Sequence, residues 1–198
     1  IKAYMLGLLY SDGSISKGGD VYISLQEEDT KVVELFKEFL GGNIVKIERR
    51  KPTHKDQVKW YLGCKLLVED LMSHGLMVNK SHKEMIMPIL RDDLNRHFIR
   101  GFFDGDGSIY KSVRNIKIKF FCTSQTFLKG IADFIKGDYY WDKNGTVHVL
   151  MYGNVEDRLR IKDLFYKNSN YWMIRKKDKF DMYVNSVLNN ESNKSLSV

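Results

Sequence analysis

Cysteine is scarce in this chain of 198 residues: Cys64 and Cys122 stand alone, with no Cys-x-x-Cys spacing. Two isolated thiols exclude a disulfide framework and a cysteine zinc cluster, and they fit buried thiols in a reducing compartment. No apolar run reaches the length of a membrane span, so no membrane partner is expected. No signal peptide opens the sequence, and the expected location is the cytoplasm or an organelle matrix. The five histidines, His54, His74, His82, His97 and His148, share no ligand spacing. A Walker-type glycine loop and a Ser-His-Asp order are also lacking. Acidic residues are the minority charge, 25 Asp and Glu against 32 Lys and Arg, for a formal charge of +7. That balance points to a polyanionic partner, nucleic acid before membrane. With 43% hydrophobic and 13% aromatic residues, the composition is that of a globular chain able to bury a core.

What the chain does have is a repeat. Met5-Leu6-Gly7-Leu8-Leu9-Tyr10-Ser11-Asp12-Gly13 and Ile99-Arg100-Gly101-Phe102-Phe103-Asp104-Gly105-Asp106-Gly107 are both apolar, helix-like runs closed by Asp-Gly and then Ser-Ile. They lie nearly half a chain apart, a period that indicates a duplicated domain and not a solenoid. The first motif starts almost at Ile1, which predicts native residues before it.

Hydrophobic periodicity predicts the same element order in each half. The first half reads as a helix over 2–12, strands over 14–17 and 20–26, and a helix to Leu40 with Asp29 as its N-cap. Strands over 44–50 and 58–63 and a helix over 65–74 follow. The second half reads as a helix over 95–106, strands over 108–111 and 115–122, and a helix over 125–135. Strands over 139–143 and 146–152 and a helix over 155–166 follow, with a last helical segment over 177–188. Residues 75–95 join the halves, and Pro88 interrupts any long helix there. The expected domains are 1–94 and 95–188, with a disordered polar tail over 189–198.

Gly7 and Ser11 share one helix face, as do Gly101 and Gly105. Small residues four apart let two helix backbones approach closely. Packed on those faces, the helices bring Asp12 and Asp106 together at their C-terminal ends. Two facing carboxylates repel unless a cation neutralises them, and a hard, oxygen-seeking ion such as Mg²⁺ suits them. One Asp-Gly is a common helix-end turn; two in the same register, each after a small-xxx-small face, mark a paired site.

These motifs resemble those of the LAGLIDADG homing endonuclease family in its single-chain, two-repeat form. The resemblance implies an α+β fold of two pseudo-symmetric αββαββα repeats, packed through the motif helices and carrying saddle-shaped antiparallel sheets. It implies a monomeric, site-specific endonuclease that cuts both strands of a long asymmetric double-stranded DNA target and leaves short 3′ overhangs. Asp12 and Asp106 would bind Mg²⁺, with Mn²⁺ or Ca²⁺ as substitutes. Tyr10-Ser11 stands where the family has Asp-Ala, and Leu6 and Arg100 fill a position that is small in the family. The helix packing at Arg100 is therefore expected to depart from the family's.

Lys80 and Lys176 follow the two aspartates at nearly matching intervals, and the resemblance implies that they polarise solvent or the scissile phosphate. It also implies a polar, water-ordering residue where Gln26 and Thr123-Ser124-Gln125 fall. Lys46, Glu48 and Arg50, Lys59 and Tyr61, Lys117 and Lys119, and Tyr139, Trp141 and Lys143 alternate along predicted strands and are the candidate DNA-reading face. Two other readings stay open: a maturase that binds intron RNA, and a DNA-binding regulator without catalysis.

Overall fold

The computed structural model describes residues 1–48, 55–80, 83–111 and 116–183. The expected tail over 189–198, the end of the predicted helix over 177–188, and Arg50 lie outside the described residues.

The first motif forms helix α1 (Lys2–Ser11), and every residue from Ala3 to Tyr10 in it is buried. A helix apolar on all sides belongs at the centre of a fold. Its counterpart α4 (Asp92–Asp106) is buried from Phe98 to Asp104. The two pack against each other through the small residues. A Cβ on Gly7 would overlap the Phe98 carbonyl and lie 2.7 Å from the Phe102 nitrogen, while one on Gly101 would overlap the Tyr4 carbonyl. A Cβ on Gly105 would strike Ser11. The packing at these four positions agrees with the small-residue faces read from the sequence.

After α1 come β1 (Gly13–Ile15), β2 (Asp20–Gln26), a 3₁₀ turn (Glu27–Asp29), α2 (Thr30–Leu40), β3 (Asn43–Ile47), β4 (Gln57–Gly63) and α3 (Lys65–Ser73). After α4 come β5 (Gly107–Lys111), β6 (Ile116–Cys122), α5 (Gln125–Ile135), β7 (Tyr139–Asn144), β8 (Val147–Tyr152) and α6 (Val155–Tyr166). A further helical segment covers 174–183. Each half carries one antiparallel four-stranded sheet, in the orders β1-β2-β4-β3 and β5-β6-β8-β7. The fold is thus the expected α+β arrangement of two αββαββα repeats joined through the motif helices.

One face of each sheet packs on helices. Ile15, Val21, Ile23, Leu25, Val58 and Trp60 are buried in the first half, and Ile109, Ile118, Phe120, Leu150 and Tyr152 in the second. Asp29 stands at the N-cap of α2, as expected, but makes no capping bond with its side chain. Its carboxylate accepts instead from the Arg175 guanidinium at 3.1 and 2.9 Å.

Arg100 does not disrupt the helix pair. Its side chain leaves the crossing and donates to the Phe165 carbonyl at 2.8 Å and Ser169 Oγ at 2.7 Å, with its guanidinium 5.0 Å from the Tyr4 ring centre.

Candidate metal centre and nucleic-acid interface

Asp12 is the C-cap of α1 and Asp106 the last residue of α4, so the two carboxylates stand at the C-terminal ends of two helices in contact. Helix C-termini carry partial negative charge. Charge and dipole therefore combine to make this junction attractive to cations. Asp106 lines a cleft with Ser11 and Lys80, and both aspartates reach solvent but are flanked by protein. That partial burial raises both above the usual carboxylate range. The neighbouring Asp12 charge raises Asp106 further, to about 6.

The two predicted lysines lie at the same junction. Lys80 Nζ donates to the Tyr10 carbonyl at 2.8 Å and to the Ser11 carbonyl, covering the free end of α1. Lys176 Nζ donates to the Gly107 carbonyl just past α4. Partial burial lowers Lys80, and burial together with the adjacent Arg175 charge lowers Lys176 to about 8. The matching lysine spacing thus corresponds to matching placements, one ammonium at the end of each motif helix.

The strand registers place Gly13 opposite Ile23 and Gly107 opposite Phe120, which makes Thr123 the counterpart of Gln26. Gln26 ends β2 opposite Gln57. Thr123 lines a cleft with Asp106, Lys80, Ser11 and Cys122. Pair register had to be known before these two could be matched.

The predicted DNA-reading residues divide between the two sheet faces. Cross-strand partners point to the same side of a sheet. Lys59 pairs with Ser24, and Tyr61 with Tyr22, on the face opposite the core. Lys117 and Lys119 pair with Tyr110 and Ser108 on the corresponding face of the second half. Lys46 pairs with the buried Val58, so it falls on the helix-packed side, where it meets Glu27 at 2.7 Å. Glu48 lies just past the end of β3, outside the paired register. Tyr139 and Trp141 pair with the buried Tyr152 and Leu150, and Lys143 with His148, so β7 is turned one residue from expectation. Tyr140 and Asp142 take the open side there. Both corrections fall on edge strands: β7 is exposed along its whole length, so alternation of polarity does not mark its inner face.

The sequence also gave no warning of Tyr22 and Tyr110. Their rings lie 4.1 Å from Lys59 Nζ and 5.2 Å from Lys119 Nζ. Each lysine is held over an aromatic ring on the open face of its sheet.

Two carboxylates, with no third His, Cys, Asp or Glu grouped with them among the described residues, do not make a closed structural metal site. They suit a hard cation that keeps much of its hydration and takes further oxygens from a phosphate. The donor set therefore fits Mg²⁺ better than zinc.

The LAGLIDADG-like domain family model matches residues 93–155. No curated protein matches the chain. Among solved structures, the fold is similar to the LAGLIDADG meganuclease I-AabMI bound to uncleaved DNA, with a TM-score of 0.68 and 13% identity, over 96% of this chain and 92% of that one. It is similar to the LAGLIDADG homing endonuclease I-GzeII in complex with its DNA target, with a TM-score of 0.67 and 13% identity, over 99% and 92%. I-SmaMI bound to an uncleaved DNA target in the presence of calcium ions gives 0.65 and 15%, over 98% and 92%. The chain thus carries a match to the LAGLIDADG-like domain model in its second half, and along nearly its whole length it has the fold seen in LAGLIDADG meganucleases.

Proposed function

We propose that this protein is a site-specific DNA endonuclease that hydrolyses one phosphodiester on each strand of a long, asymmetric duplex target. The observation that carries the reading is the convergence of Asp12, Asp106, Lys80 and Lys176 on the ends of two packed helices. Asp12 and Asp106 are the residues that would hold divalent metal. A divalent cation there supplies Lewis acidity and charge neutralisation at a phosphate. The two ammonium groups stabilise negative charge that develops on the phosphate oxygens. Lys176, lowered to about 8, is also placed to hold a proton near neutral pH and pass it to a leaving oxygen. The open sheet faces, with Lys59, Lys117 and Lys119, contact the duplex on either side. The residues on the two faces differ, which supports an asymmetric target, and both halves lie in one chain, which supports action as a monomer.

The test is incubation of the protein with a randomised duplex library and Mg²⁺, beside Asp12→Asn and Asp106→Asn. The unmodified chain is expected to cut a narrow set of sequences on both strands. Each variant is expected to bind the same set and to lose at least about a thousandfold in cleavage. Binding of duplex without cleavage by the unmodified chain, or preference for intron RNA, overturns the reading.

A further inference from the structure

The segment that carries Lys176 is tied to the opposite half of the molecule. Tyr171 sets its ring edge-on to Phe39 near the end of α2, with centroids 6.0 Å apart. Arg175 reaches the other end of the same helix, where its Nε stands 2.9 Å from Asp29 Oδ2. The chain from 171 to 175 therefore lies along α2 of the first half, while Lys176 turns back to the Gly107 carbonyl of the second. Asp29 is only 4% exposed and caps nothing, so Arg175 is the partner that makes its burial tolerable. Within the second half the same segment is fixed at Met173, whose N–H donates to Asp104 Oδ2 at 2.8 Å. Lys176 sits one residue beyond the cross-half contact and is buried.

The first half does this differently. The cross-half contact there comes after the lysine: Ser124 Oγ, on the second half, donates to Glu84 Oε1 at 3.0 Å and to the Met85 carbonyl at 2.7 Å. No ion pair among the described residues stands next to Lys80 in the way that Arg175 stands next to Lys176.

We infer that Arg175 is a positioning residue, whose ion pair with Asp29 across the two halves sets the placement of Lys176 and so tunes cleavage of one strand of the duplex. The inference rests on the nuclease reading for its catalytic consequence but not for its structural one. The variant of choice is the neutral pair Asp29→Asn with Arg175→Gln, which removes both charges together and leaves no lone buried carboxylate. Reductive methylation of the free protein, read by mass spectrometry, should label Lys176 roughly threefold faster or more in the double variant, with Lys80 unchanged. Arg175→Lys should restore part of the protection, since it keeps the charge and loses the Nε–H that Asp29 accepts from. On a duplex selected by the unmodified protein, the double variant should cut one strand about tenfold to a hundredfold more slowly, the scale of a small misplacement. The other strand and duplex binding should hold, so nicked product accumulates. Equal protection of Lys176 in both proteins, or equal slowing on both strands, overturns the inference. An unmodified protein that cuts no duplex defeats the nuclease reading alone, and the methylation result then decides on the ion pair.

Discussion

The two motif helices end in the same way and are held in different ways. At the position two residues before each terminal aspartate, α1 carries Tyr10 and α4 carries Asp104. Tyr10 donates its hydroxyl to the His74 carbonyl at 2.6 Å, a neutral bond to the chain that leads to Lys80. Asp104, fully buried, accepts from the Tyr4 hydroxyl at 2.7 Å and from the Met173 N–H, on the chain that leads to Lys176. Four residues earlier the contrast repeats, with Leu6 in the first half and the buried Arg100 in the second. Duplication thus preserved the geometry of the junction and let the chemistry of its support diverge. The second half holds its lysine with buried charge, which is stiffer when intact and costs more when broken.

The shared part of the comparison is the helix crossing, and breaking it should have the largest effect. Gly7→Ala and Gly101→Ala each place a methyl group inside the facing backbone, which no rotamer change relieves. Each should cost about 3 kcal/mol or more in chemical denaturation. The two values should agree closely, because the contacts are related by the pseudo-symmetry. A large difference between them would show that one half tolerates displacement of its motif helix.

The diverged part should separate clearly. Asp104→Ala strands the Tyr4 hydroxyl and the Met173 N–H in the core and should cost about 3 kcal/mol. Tyr10→Phe removes one neutral bond and should cost about 1 kcal/mol. Urea titrations of the two variants, run side by side, give the ratio directly. Equal costs would mean that the charged support carries no more than the neutral one.

The site itself is a place where function opposes stability. Asp106 holds its proton up to about pH 6 in the folded chain but only to 3.8 as a free carboxyl. Between those values the folded state binds more protons, so this group's contribution to stability falls as pH rises. Asp106→Asn should therefore stabilise the metal-free protein at pH 8 by about 1 kcal/mol, after allowance for solvent at the cleft. At pH 3.5 the gain should vanish. A variant no more stable than the parent at pH 8 would show that Lys80 and Lys176 already neutralise the pair.

The motif aspartates, their helices and both lysines were legible in the sequence because repetition supplied a register. One half could be read against the other. Strand faces were legible where one side is buried, as at Lys117 and Lys119, and not on β3 and β7, where edge strands carry too little burial to mark a side. The Arg175–Asp29 pair was invisible for a different reason. The Asp29 carboxylate looked like a cap because caps are local, and its true partner comes from the far end of the chain. The roles of Arg100 and Asp104 were hidden in the same way: Arg100 reaches Phe165 near the end of α6 and Ser169 beyond it, and Asp104 reaches Tyr4 on α1 and Met173, none of which helical spacing connects to α4.

The smallest expected effect tests whether this buried charge has made the second half sensitive to acid. His97 has no counterpart in the first half, where the matching position is Ala3. The Arg100 guanidinium lies 2.9 Å from His97 Nδ1 and needs that nitrogen unprotonated to donate to it. Burial and the two neighbouring arginines, Arg100 and Arg96, lower the imidazole from 6.5 to about 4. As pH falls through that window the unfolded chain takes up a proton that the folded chain refuses, so stability falls with pH. The His97 contribution should reach about 1 kcal/mol by pH 4.5, given that the ring is partly open to solvent. His97→Gln should remove that part of the slope between pH 6.5 and 4.5 and leave the slope above pH 7 unchanged. If the two proteins lose stability in parallel across the window, the acid sensitivity lies elsewhere, and the Arg100 network is as indifferent to acid as the apolar contacts of Leu6.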